Sequence, residues 1–507
     1  MRLTRRIVQI FFLIMFVWLF FLNAYPFERN YPVDFFLRLD PLIAVGSMLA
    51  SRSFIVDLWP AVILLVFTLL IGRFFCGWIC PLGTTVDLFS RAKKKPKGKH
   101  HRTLKSVKYI VLIILIVSAL FSTGLIGYID PIALLTRTVT TVIFPTAAFI
   151  LRTSVGFLFR FEPLEGVLYP TNDFLLTYIL PSQQSFFRTS IIIFFIFGVI
   201  LALEFVSRRF WCRNLCPLGA LLALVSKFGL VNRKVWVGCT RCSVCYSTCK
   251  MDAISPNFIE TSSPECIQCF NCVADCPPAV TGFTTTRKNV IHSVDLPRRR
   301  LFQSLAAGVM TVGVVKTAYS SKEKAGHLIR PPGSVPEPEF LDRCIRCGAC
   351  IRTCETNGRL LQPTGLEAGW EGVWTPKGEP RYGYCEYNCN LCGKVCPTNA
   401  IHELPLDVKK KTRIGLARFD KNRCIPWYKN EDCLVCEEHC PTPQKSIIFK
   451  SELGRTVDGR LRMVKKPYVR EDLCIGCGIC VTKCPVKGKA GIFIVNEKEE
   501  RWTEETS

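Results

Sequence analysis

The chain has 507 residues, 49% of them hydrophobic, a formal charge of +25 and 28 cysteines. This length allows several domains, and so many cysteines in a long chain with apolar runs exclude the short secreted disulfide scaffold. The positive charge clusters beside apolar segments, which points to membrane topology and away from nucleic acid.

Taken in chain order, Ile7 to Ala24 is uncharged and long enough to cross a bilayer as a helix. A signal peptide is the alternative, but no A-x-A-like cleavage site follows. Leu58 to Phe75, Ile110 to Ile129 and Ile191 to Val206 are three further candidates, so four transmembrane helices are expected. Basic residues set their orientation. Arg2, Arg5 and Arg6, nine Lys/Arg between Arg91 and Lys108, and Arg208, Arg209 and Arg213 face the cytoplasm, while loops at about 25–57 and 130–190 face the other side.

This region repeats itself. Asp40-Pro41-Leu42-Ile43-Ala44, a helix and Arg73-Phe74-Phe75-Cys76-Gly77-Trp78-Ile79-Cys80-Pro81-Leu82-Gly83 are echoed by Asp130-Pro131-Ile132-Ala133, a helix and Arg209-Phe210-Trp211-Cys212-Arg213-Asn214-Leu215-Cys216-Pro217-Leu218-Gly219. The second Asp-to-Cys interval is longer by 46 residues, assigned to an amphipathic stretch around 138–185 on the far membrane surface. Each half thus carries an acid on the outer face and a cysteine pair on the inner face. Repeats of this kind pack around a shared site. Cys76, Cys80, Cys212 and Cys216 would then offer four thiolates to a cluster; a zinc site or free thiols are the alternatives.

The other 24 cysteines form six groups of four. Four groups keep C-x2-C-x2-C-x3-C: Cys239, Cys242, Cys245, Cys249; Cys266, Cys269, Cys272, Cys276; Cys344, Cys347, Cys350, Cys354; and Cys474, Cys477, Cys480, Cys484. Two are stretched: Cys385, Cys389, Cys392, Cys396 and Cys424, Cys433, Cys436, Cys440. Three closely spaced thiolates suit one [4Fe–4S] cube, with the fourth reaching to a second cube. Structural zinc prefers two C-x2-C pairs separated by a longer stretch. Spacing therefore predicts six [4Fe–4S] clusters, or seven if the split group also binds one. In the first module the crossover rule assigns Cys239, Cys242, Cys245 and Cys276 to one cube, and Cys266, Cys269, Cys272 and Cys249 to the other.

All six histidines lie outside the four apolar segments, which excludes a bis-histidine haem there, and no C-x-x-C-H attaches haem c. Neither G-x-G-x-x-G nor a P-loop occurs, so flavin, nicotinamide and ATP sites lack support. Arg298-Arg299-Arg300-Leu301-Phe302 leads into a weakly apolar run to Val315, which reads as a twin-arginine export signal inside the chain. A fifth membrane helix or a surface helix is the alternative. The predicted architecture is multi-domain: an α-helical membrane domain over 1–230 and an α+β bacterial ferredoxin-like module over 231–290. A twin-arginine-like segment and Pro-rich linker over 291–340 then lead to an exported ferredoxin domain over 341–495.

Through the paired R-F-x-C-x3-C-P-L-G motifs and the ferredoxin pair, residues 1–290 resemble NapH-type membrane ferredoxins, the quinol dehydrogenase subunits of periplasmic nitrate reduction. Through Cys344-Ile345-Arg346-Cys347-Gly348-Ala349-Cys350, Thr375-Pro376, the Cys392 to Thr398 run and the closing group at Cys474, residues 298–490 resemble NapG/MauM-type exported ferredoxins. The chain thus resembles a fusion of the two. The resemblance implies four clusters in the exported domain. Cys344, Cys347 and Cys350 would pair with Cys484, and Cys474, Cys477 and Cys480 with Cys354. Cys385, Cys389 and Cys392 would pair with Cys440, and Cys424, Cys433 and Cys436 with Cys396.

The implied function is a quinol dehydrogenase of the bacterial inner membrane, with the first ferredoxin pair cytoplasmic and the last domain periplasmic. It would take electrons from the quinone pool in the lipid and pass them to a periplasmic reductase or small redox protein. Asp40 and Asp130 are the candidate proton acceptors for quinol, or else turn-formers ahead of proline. An accessory ferredoxin that activates a partner metalloenzyme, and inward electron flow to quinone, are competing readings.

Overall fold

The computed structural model of the protein describes residues 2–25, 32–91, 102–161, 165–178, 180–181, 183–285, 290–291, 294, 296–317, 328–455 and 460–503. His100, His101, His292 and His327, much of the basic loop after Arg91 and part of the Pro-rich linker lie outside them.

Apolar residues without interruption by charge build the helical domain. Its helices include Arg2–Leu22, Pro41–Ser51, Pro60–Ile71, Val107–Leu120, Ser190–Ala202 and Pro217–Ser226. Among the described residues two helices are long and apolar enough to cross a membrane: Arg2–Leu22 and Pro131–Leu158. The first was expected. The second falls where an amphipathic surface stretch was expected; it runs on through a π-helical turn at Val139–Ile143 with no charge between Thr138 and Leu151. The other three expected spans are helices of 12, 14 and 13 residues, so four full spans do not emerge. At 1.5 Å per residue they reach only about 20 Å each. The outward faces of Pro60–Ile71 and Ser190–Ala202 are nonetheless apolar and exposed, as at Val62, Val66, Phe67, Ile191, Phe194 and Phe195.

The two halves fold alike. Asp40 and Asp130 cap Pro41–Ser51 and Pro131–Thr138, and Cys216 caps Pro217–Ser226 just as Cys80 precedes Pro81–Arg91. Proline at the first helical position suits a site whose N–H would have no partner.

The first cysteine-rich module opens with Asn232–Val235, paired antiparallel with Thr281–Thr284. The later domain holds three antiparallel two-stranded ladders: Leu361–Pro363 with Pro376–Gly378, Leu416–Phe419 with Ile492–Val495, and a long hairpin Ile447–Arg455/Leu461–Val469. These modules cap opposite ends of the helical domain. Arg2, at the start of Arg2–Leu22, meets Asp275 of the first module. Asn23, just past its end, donates to Ala349 O of the later domain at 3.2 Å. About 30 Å of helix separates those contacts.

Arg298–Thr317, the twin-arginine-like segment, lies alongside Val107–Leu120 and parallel to it. Arg300 bonds Ser106 at one end and Lys316 Nζ donates to Phe121 O at 2.7 Å at the other, with Gly308 facing Val117 between. The chain thereby passes from the end bearing the first module to the end bearing the second.

Candidate iron–sulfur sites and a buried acid pair

In the C-terminal cysteine-rich domain each cysteine group folds as a tight loop and a short helical turn. Left-handed residues such as Arg346, Gly348, Gly476 and Gly478 bend the loops, so that the first three thiols face inward. Four-thiol cavities follow. Cys474, Cys477, Cys480 and Cys440 line one. Cys424, Cys433, Cys436 and Cys484 line another, and Cys385, Cys389, Cys392 and Cys354 a third. Cys396 is the fourth thiol around Cys344, Cys347 and Cys350.

This corrects the nested pairing implied by the resemblance. Neither Cys484 with the Cys344 group, nor Cys354 with the Cys474 group, nor Cys440 with the Cys385 group, nor Cys396 with the Cys424 group is formed. Each group exchanges its fourth ligand with its neighbour in sequence: Arg359 bridges Tyr384 between the first two groups, and Leu416–Phe419 pairs with Ile492–Val495 around the last two. The two halves then join where Cys385 N donates to Cys477 O at 2.8 Å.

In the first module Cys266, Cys269, Cys272 and Cys249 line one cavity, as the crossover rule requires. Cys245 lies within charge range of Cys239 and Cys242. Cys276 sits at the foot of the paired strands, where Thr281 Oγ1 approaches its sulfur at 3.6 Å.

Burial pushes the thiols of Cys266, Cys354, Cys424, Cys436 and Cys477 up to about 12. Each must lose a proton to bind iron. Cys440 departs from this: burial raises it, but Thr442 and Ser446 hydroxyls more than offset that and hold it low. Among the described residues no three Cys, His, Asp or Glu side chains close on a single metal ion. Thiols arranged around a cavity without converging on a point suit a cluster and not zinc.

The C-x3-C-P cysteines do come together. Each of Cys76, Cys80, Cys212 and Cys216 lies within charge range of the other three. Gly83 N donates to Cys80 Sγ at 3.5 Å and Gly219 N to Cys216 Sγ at 3.3 Å, so both halves use the same loop. The arginines cross over. Arg209, from the second half, donates to Cys76 O (2.7 Å) and Gly83 O (3.1 Å) of the first, and forks onto Asp87 at 3.0 Å. Arg73, from the first half, reaches Gly219 of the second. This four-thiol site abuts the first module: Trp78 Nε1 donates to Gln268 O at 3.0 Å, and Cys76 packs with Ile267, Cys266 and Cys269.

Asp40 and Asp130 form a pair. Both are fully buried, not on an outer face as the repeat suggested. Asp40 Oδ1 accepts from Leu42 N (2.8 Å) and Ile43 N (3.3 Å), and Asp130 Oδ1 from Ile132 N (3.0 Å) and Ala133 N (2.8 Å). Among the described residues neither Oδ2 has a hydrogen-bond partner, and the two buried carboxyl groups lie within charge range of each other.

Sequence reasoning missed the arginines that seat the C-terminal cysteine-rich domain. Arg352 lies over Phe144 (4.0 Å) and Phe20 (4.6 Å), Arg346 over Tyr128 (4.4 Å), and Arg137 over Trp374 (4.2 Å). For Arg346 and Arg352 the signal was position within the Cys344 group; Arg137 carried none.

A family model described as a 4Fe-4S binding domain matches residues 58–99, 188–235 and 392–415, and a second so described matches 467–487. The first two segments hold the C-x3-C-P pairs, and the third repeats that run at Cys392 to Pro397. The methylamine utilization ferredoxin-type protein MauM of Methylorubrum extorquens is 33% identical over 198 residues, 38% of this chain and 84% of that protein. The ferredoxin-type protein NapG of Escherichia coli is 31% identical over 201 residues, 38% of this chain and 83% of its own length. NapF of the same organism is 32% identical over 163 residues, 32% and 84% of the two chains. No solved structure matches. With four thiols gathered at one site after another and these relatives covered over most of their length, the chain belongs to the ferredoxin-type iron–sulfur proteins of the MauM and NapG family.

Proposed function

We propose that this protein is a membrane-bound quinol dehydrogenase that delivers electrons to a redox protein on the outer side of the bacterial cytoplasmic membrane. The observation that carries the reading is the pair of cysteine-rich modules at opposite ends of a helical domain whose flanks are apolar and exposed. Exposed apolar area of that extent suits lipid. The 24 ferredoxin-type cysteines would hold six [4Fe–4S] clusters, and Cys76, Cys80, Cys212 and Cys216 a seventh; when bound, such clusters supply one-electron carriers over a wide range of potentials.

The chain's own residues supply the rest. Gly77 packs against the Ile267 backbone and holds the C-x3-C-P site on the Cys266 loop. The Asp40–Asp130 pair takes up a proton from quinol. Arg298–Thr317, read as a twin-arginine-type signal that stays in place after export, tethers the outer domain.

The test is full-length, cluster-loaded protein in lipid nanodiscs mixed anaerobically with a short-chain ubiquinol. Bleaching of the iron–sulfur absorbance at a rate that rises with quinol supports the reading. No bleaching, in a protein whose absence lowers only the cofactor content of a partner metalloenzyme, overturns it in favour of the accessory role.

A further inference from the structure

Arg73 is a buried cation with unused donors. It is 0% exposed, and its Nη1 donates to Pro264 O at 2.8 Å and lies 3.5 Å from Glu265 Oε2. Glu265 is shared: Lys108 Nζ approaches the same oxygen at 2.5 Å, and Tyr109 donates to the other at 2.9 Å. Among the described residues Arg73 Nε and Nη2 have no hydrogen-bond partner. Unpaired donors on a buried guanidinium are costly, and that cost persists only where something answers it.

The repeat shows where the answer lies. Arg209 has the equivalent position in the second half, and its donors are satisfied by the loop of the first half and by Asp87. Asp87 stands seven residues after Cys80; seven residues after Cys216 stands Ala223, which offers nothing. Arg73 therefore enters the opposite loop with its fork open. Its Nη2 lies 2.9 Å from the position of a Cβ on Gly219, and that position is 3.5 Å from Cys216 Sγ. The guanidinium is within charge range of Cys76 and Cys216.

We infer that Arg73 is a cofactor-contacting residue, its Nε–H and Nη2–H groups donating to sulfur of an iron–sulfur cluster held by Cys76, Cys80, Cys212 and Cys216. The inference rests on the reading of those four cysteines as a seventh cluster site. A fixed positive charge and N–H donors at sulfur favour the reduced state of a cluster, since hydrogen bonds and net charge both set its potential. Arg209, already neutralised by Asp87, orders the loop.

The experiment is iron analysis and a potentiometric EPR titration of anaerobic wild-type, Arg73→Gln and Arg73→Lys protein at full length. Wild type should hold about 28 irons, four for each of seven cubes. Arg73→Gln should move one cluster's potential downward by tenfold or more in its oxidised-to-reduced ratio, at least about 59 mV for one electron. The other six should be unmoved, and Arg73→Lys should fall between. Loss of only four irons in Arg73→Gln, with retention in Arg73→Lys, also supports the assignment. Wild-type protein with about 24 irons would remove the seventh site and with it the basis for the inference. Wild-type protein with about 28 irons and an Arg73→Gln variant unchanged in every potential would overturn the role of Arg73 alone. Equal iron loss in both variants would make Arg73 a packing residue and overturn it too.

Discussion

Asp40 and Asp130 change meaning once they are seen together. Two carboxyl groups buried within charge range of each other form one site, so removing either alters the same site. Asn keeps the oxygen that accepts from the helix N–H groups, so the caps, worth about 1 kcal/mol each, survive the exchange. Asp40→Asn and Asp130→Asn should each slow quinol-driven cluster reduction about tenfold or more, and the double variant should be no slower than either single, as expected of groups acting as a unit. Dithionite reduction and iron content should stay as in wild type. Stopped-flow bleaching checks this, and additive effects would separate the two carboxyls again.

At the scale of elements, the docking of the C-terminal cysteine-rich domain depends on helices that approach without side chains. A Cβ on Gly127 would meet the Ile345 backbone, with Cα at 2.8 Å, and one on Gly124 would lie 2.6 Å from Leu341 O. Backbone cannot yield as a side chain does, so Gly127→Ala should weaken the seat of the Cys344 loop by about 1–3 kcal/mol, the usual cost of overpacking. Amide exchange should then rise in Ala349–Glu355 and around Asn23, while the remote ladder of Leu416–Phe419 with Ile492–Val495 stays protected. Unchanged exchange at the seat would mean that Arg137, Arg346 and Arg352 hold it by themselves. Those cation–aromatic contacts are worth about 0.5–2 kcal/mol each, so they are the effect with which the glycine competes.

Across the whole molecule, one polypeptide links modules at opposite ends of the helical domain, and Arg298–Thr317 is the connection that runs from one end to the other. Its 20 residues have the length to span a bilayer, although Arg298, Arg299 and Arg300 crowd one end. If this segment directs export of a domain already carrying its clusters, Arg299→Lys with Arg300→Lys should strand residues 330–507 in the cytoplasm without disturbing insertion of the earlier helices. Charge is preserved by that exchange, so a helix that merely obeys the positive-inside rule would be unaffected. Protease accessibility from the periplasmic side distinguishes the two, and an unchanged pattern returns the segment to an ordinary fifth helix.

The cysteine groups, the repeat and the division into helical and ferredoxin-like parts were legible from spacing and hydrophobic pattern, because ligand loops and apolar runs are local. Cys266, Cys269 and Cys272 reach Cys249 by a rule that spans only a few tens of residues, and it held. What lay beyond local spacing was decided by packing. Sequence left open whether the C-x3-C-P pairs meet, and placed Asp40 and Asp130 on a surface. Close packing of the two halves gathers all four thiols and buries both acids against each other. The partners of Cys354, Cys396, Cys440 and Cys484 follow from which loops pack together, and the open fork of Arg73 from the lack of a carboxylate at Ala223. Such choices depend on which distant residues share a small volume, and only the tertiary fold determines that.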